Sequence, residues 1–106
     1  MNEKFREARR FLLERPAVLI DPSTRFKVGS LVLDLSLTGA SLELPPGIKL
    51  PKIVDLRWEP LTGAPPLVLK CELVWQKAAR AGVRFQNMPP KTRTLLDRFL
   101  NIRFAD

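Results

Sequence analysis

The sequence predicts an all-β domain with a C-terminal helix, and three observations carry that prediction. The chain has 106 residues and 45% hydrophobic content, which allows one domain with one modest core. Short runs of alternating apolar and polar residues recur between turn-forming segments, and ten prolines against five glycines favour short strands with stiff connections. A helical apolar stripe follows the last of these runs. Five or six strands in so small a domain favour a closed or nearly closed antiparallel barrel, because closure leaves few exposed edges.

The elements follow in order. Asn2 to Glu14 reads as a helix or an extended basic arm, with Phe5, Ala8 and Leu12 at helical spacing until Pro16 ends any helix. This divides the chain into an arm over 1–15 and a barrel with its helix over 16–106. Ala17–Ile20 is the first strand, and Asp21-Pro-Ser-Thr24 supplies turn chemistry. Arg25–Ser36 is a longer second strand, with a bulge expected at Gly29-Ser30. Within it Leu31, Leu33 and Leu35 alternate with Val32, Asp34 and Ser36, so Asp34 and Ser36 are expected on one face.

Gly39 sits at a tight bend. Ala40, Leu42 and Leu44 then point inward from a third strand, with Ser41 and Glu43 outward. Pro45-Pro-Gly47 and Pro51 bracket a loop. Val54, Leu56 and Trp58 form the inner face of a fourth strand, and Pro60–Pro66, with Thr62-Gly63, is a turn. Leu67, Leu69, Cys71, Leu73 and Trp75 alternate along a fifth strand. After the turn Gln76–Arg80, Gly82–Phe85 is the sixth, with Val83 and Phe85 on one face. Pro89-Pro90 opens a helix through Phe104 whose stripe is Leu95, Leu96, Phe99, Leu100 and Ile102.

Composition narrows the chemistry. The chain has no His, which excludes His-based triads and His-based zinc sites, and its single cysteine, Cys71, cannot make an internal disulfide or a thiolate cluster. The expectation is therefore no enzyme activity, no metal and no cofactor. The charged first residues and the lack of a long apolar segment imply a cytoplasmic protein without membrane insertion. The net charge of +7 is consistent with solubility alone or with an anionic partner, whether nucleic acid, nucleotide or acidic protein surface, and charge by itself does not choose among these.

Asp34-Leu-Ser-Leu-Thr-Gly39 and the basic Arg6-Glu-Ala-Arg-Arg10 form the one constellation suited to a ligand. A carboxylate accepts both donors of a guanine Watson–Crick edge, and an arginine fork matches O6 and N7 or a phosphate. Ser36 adds a hydroxyl, and Gly39 allows a bend that a Cβ would resist. Arg80 and Arg84 repeat the four-residue arginine spacing, so Arg6 and Arg10 are distinguished by their position before the first strand. Arg15 precedes Pro16 directly and has no arginine four residues before it.

Arg6-x-x-x-Arg10 before the first strand and Asp34-x-Ser36-x-x-Gly39 after a strand resemble the motifs of the PilZ domain. Leu33–Leu42, Leu73-Val-Trp75, Gly82-Val-Arg-Phe85 and the terminal helix extend the resemblance over nearly the whole chain. The resemblance implies a six-stranded antiparallel β-barrel and a bacterial receptor for cyclic di-GMP. It implies that Arg6 and Arg10 hold guanine and phosphate, Asp34 binds a guanine edge, Ser36 bonds base or phosphate, and Gly39 shapes the turn. Arg9 is a further phosphate or stacking contact. Trp75 is a ligand-contact candidate from the family, while its alternation with Cys71 and Leu73 favours core packing.

The expected function is a stand-alone receptor, with no fused output domain, that relays cyclic di-GMP binding to an effector protein by ordering its N-terminal arm. The alternatives are a PilZ-like adaptor of pilus or motility machinery without nucleotide binding, whose relatives typically lack both motifs, and a small basic nucleic-acid-binding barrel. The second is disfavoured because Phe and Trp fall mostly on core-facing positions rather than on an outward stacking platform.

Overall fold

A computed structural model describes residues 11–59 and 65–104, with side chains described through residue 101. The described residues form β1 (Phe11–Ile20), β2 (Lys27–Leu35), β3 (Gly39–Glu43), β4 (Ile53–Trp58), β5 (Leu67–Lys77), β6 (Arg80–Phe85) and one helix, α1 (Pro90–Phe104). The strands close into an antiparallel barrel in the order β1-β2-β3-β6-β5-β4, as the sequence predicts. Arg6, Arg9, Arg10 and the Thr62-Gly63 turn lie outside the described residues.

Alternation fills the interior where strands are regular. Ala40 and Leu42 of β3, Val54, Leu56 and Trp58 of β4, and Leu67, Leu69 and Cys71 of β5 are all buried. Leu96, Phe99 and Leu100 of α1 join the same core, and Trp58 meets Phe99 edge-to-face at 5.0 Å and 86°. Leu95, expected in the stripe, is exposed instead, because the buried face of α1 is the narrower one through Leu96, Phe99 and Leu100. The side chain of Ile102 is outside the described set.

Three features differ from the sequence reading. First, β1 begins at Phe11 rather than Ala17, so Phe11 to Arg15 belong to the barrel and not to the arm. Phe11 pairs with Leu35 and Leu12 with Asp34; a bulge between Leu12 and Arg15, with Glu14 at φ 56°, carries the strand into Pro16. A proline beside such an irregularity is tolerated in a sheet. Leu12 is 82% exposed, whereas Leu13 packs against the core.

Second, Gly29 and Ser30 are not bulged; they pair regularly with Val18 and Ala17. The bulge of β2 lies between Val32 and Asp34, and it reverses the phase of the strand. Val32 and Leu35 are therefore the fully buried positions, while Leu31 and Leu33 are only half-buried. Third, β5 and β6 are longer than expected. They continue to Lys77 and from Arg80, joined through Ala78-Ala79 with Ala78 at φ 53°, the left-handed backbone of a tight hairpin turn.

Candidate nucleotide-binding face

Register places Asp34 and Trp75 on the outer wall of the barrel. Asp34 lies opposite Leu12 on one side and Ser41 on the other. Ser41 lies opposite Gly82, and Gly82 opposite Trp75. Directly paired residues share a face of a sheet, so Asp34, Ser41, Gly82 and Trp75 form one transverse outward row over four strands. Asp34 and Trp75 end that row about 14 Å apart, three strand spacings.

Two bulges aim its ends. Through Cys71 the odd-numbered residues of β5 face inward, and continued alternation would bury Trp75. The bulge between Leu73 and Trp75 inserts Val74 and turns the indole outward, leaving Trp75 47% exposed. The core packing favoured by simple alternation is thus corrected. Gly82 makes room for the ring: a Cβ there would collide with Nε1, Cε2 and Cδ1 of Trp75, so the indole lies directly on the Gly82 backbone. The bulge between Val32 and Asp34 acts likewise on β2, setting Asp34 outward next to the inward Leu35.

Ser36 does not share that face. It lies just past β2, is wholly buried, and organises the turn into β3. Its Oγ accepts from the backbone N–H of Thr38 at 3.1 Å and of Gly39 at 3.2 Å, and donates to the Gly39 carbonyl at 3.3 Å. It also lies 3.1 Å from Thr38 Oγ1. The Ser36 N–H donates to the Gly39 carbonyl at 2.9 Å, and the Phe85 N–H to the Thr38 carbonyl at 2.8 Å, which fastens the turn to β6. The Ser36 hydroxyl, expected from the sequence to bond base or phosphate, is engaged locally here and satisfies backbone groups that the turn leaves unpaired.

Gly39 begins β3 opposite Arg84. Its backbone does not adopt the left-handed region; the requirement for glycine comes from close approach, since a Cβ would run into the Val83 carbonyl oxygen. Gly39 and Trp75 line one cleft of about 280 Å³, with Gly82 and Val83 in its floor and Thr38, Val74 and Arg84 around it. Arg84 has no place in the sequence-derived site. The signal for it was the outward position between Val83 and Phe85, one alternation step from Gly82.

Arg15 belongs elsewhere: in β1 it lies opposite Val32 of β2, and its Nη2 donates to the Glu59 carbonyl at 3.5 Å. No group of three or more His, Cys, Asp or Glu side chains able to hold a metal occurs among the described residues, and none of their helices is long and apolar enough to cross a membrane.

The PilZ domain profile matches residues 4–101. The chain belongs to the PilZ domain family. Its fold is similar to the crystal structure of the PilZ domain of CeSA from a cellulose synthesizing bacterium, with a TM-score of 0.71 at 19% identity over 92% of this chain and 97% of that one. No curated protein matches the chain. The family match takes in both the arginine motif and the Asp34–Gly39 stretch.

Proposed function

We propose that this PilZ domain is a receptor for cyclic di-GMP and that it passes the signal to an effector protein when its N-terminal arm orders against the barrel. The observation that carries the reading is the outward row Asp34–Ser41–Gly82–Trp75, which ends in a carboxylate on one side and an exposed indole on the other. A guanine edge meets Asp34 through its N1–H and N2–H donors, and a purine face stacks on Trp75. Leu12 lies opposite Asp34, so the chain that bears Arg10 enters the barrel beside that carboxylate. Arg6, Arg9 and Arg10 then supply guanidiniums for phosphate and base.

Ser36 and Gly39 act through the turn, by fixing the backbone next to the cleft. The reaction needs no chemistry on the ligand: affinity comes from charge pairing, stacking and the ordering of the arm, and the output is a changed surface for the effector. Calorimetric titration with cyclic di-GMP tests the reading. Wild type is expected to bind in the micromolar range or tighter, while Arg10→Ala and Asp34→Ala lose binding without loss of fold. Absence of both binding heat and thermal stabilisation in wild type would reject it.

A further inference from the structure

We propose that Arg84 of β6 is a ligand-binding residue, a guanidinium independent of the N-terminal arginine motif, and that Glu72 of β5 positions it. This rests on the receptor reading above. Arg84 lies opposite Gly39 on one side and Glu72 on the other, and two residues from Gly82 on the same outward face. It therefore stands beside the Trp75 shelf, and it lines the same cleft. Its side chain is 64% exposed, so no part of the core depends on it.

The contacts of Arg84 leave its fork available. Its Nε lies 4.0 Å from Glu72 Oε1, at the outer limit of an ion pair, and this contact involves neither Nη1 nor Nη2. Glu72 is itself held from two further directions, by Lys52 Nζ at 3.4 Å and by Gln86 Nε2, which donates at 3.1 Å. Such a carboxylate is a fixed anchor rather than a rotating one, and its charge is offset by flanking cations. The terminal edge of a guanidinium matches two phosphate oxygens at once, a geometry that lysine cannot reproduce. With an aromatic ring on one wall, glycine backbone below and a guanidinium alongside, the cleft takes a base stacked on Trp75 with its phosphate on Arg84.

The test is titration of the full chain with cyclic di-GMP at two salt concentrations. Arg84→Ala is expected to bind roughly tenfold or more weakly, with a shallower salt dependence and an unchanged melting temperature without ligand. Arg84→Lys is expected to recover only part of the loss. Glu72→Ala is expected to weaken binding about threefold in wild type and not at all in the Arg84→Ala background, the behaviour of residues that act together. Wild-type affinity in Arg84→Ala overturns the role of Arg84 while leaving the receptor reading intact. Full recovery in Arg84→Lys overturns the fork, and an equal Glu72→Ala loss in both backgrounds overturns positioning. If wild type binds no cyclic di-GMP, the receptor reading falls and this inference with it.

Discussion

Ser36 and Gly39 stand three residues apart and are needed for different physical reasons. The Ser36 oxygen serves two backbone N–H groups inside the barrel wall, whereas Gly39 is needed because the Val83 carbonyl occupies the space of its Cβ. Ser36→Ala removes the acceptor from two donors in a buried turn and is expected to cost about 1–3 kcal/mol in urea unfolding. Gly39→Ala faces backbone rather than a rotatable side chain, so the strain falls on the β3–β6 pairing, with a similar expected cost of about 1–3 kcal/mol. Both substitutions should also weaken cyclic di-GMP binding, since the cleft is built on this turn. A Ser36→Ala protein with wild-type stability would refute the structural role of the hydroxyl.

At the scale of elements, what could be read from the sequence divides at the bulges. Strands β3 and β4 follow strict alternation, and their inward residues were legible because each depends only on its neighbours two positions away. The phase reversals at Val32/Asp34 and Leu73/Trp75 were not legible, because a bulge is defined by the partner strand and needs the long-range register. That is why Trp75 read as core; Ser36 read as a face residue for a different reason, because β2 ends at Leu35 and the turn into β3 draws the hydroxyl inward. The early start of β1 was hidden for a related reason: Pro16 argues against a helix, yet a strand can pass through it next to a bulge.

Gly82 offers the direct test of the re-aimed indole. Gly82→Ala places a methyl group where the ring lies and should displace Trp75 without touching the core. The expected result is a red-shifted Trp75 emission, measured in a Trp58→Phe background, and weaker nucleotide binding. Unchanged emission would show that the ring does not rest on Gly82. Phe99→Ala tests the helix in turn: it removes the edge contact to Trp58 and leaves a cavity where α1 meets the barrel, for an expected loss of about 3–5 kcal/mol.

At the scale of the whole molecule, closure of the barrel has a consequence that can be read at one thiol. Cys71 is fully buried on the inner face of β5, and its Sγ donates to the Leu69 carbonyl at 3.4 Å. Burial first, and then the nearby Asp55 carboxylate, push its pKa from 9.0 up to about 12. The sign follows from linkage. Between about pH 9 and pH 12 the unfolded chain releases the thiol proton while the folded chain keeps it, so the unfolded state binds fewer protons and stability falls as pH rises. Below pH 9 the thiol is protonated in both states and contributes no slope. Lysines also titrate in the alkaline range, so the informative quantity is the difference between wild type and Cys71→Ala. The variant carries its own packing cost, but its stability should decline less steeply above pH 9, by up to a few kcal/mol at the alkaline end. Thiol labelling offers a second readout: at pH 8 the native protein should react only through opening of the barrel, at a rate that tracks its unfolding free energy. Parallel pH profiles for the two proteins, together with rapid labelling of the native state, would mean that the interior near β5 is open to water.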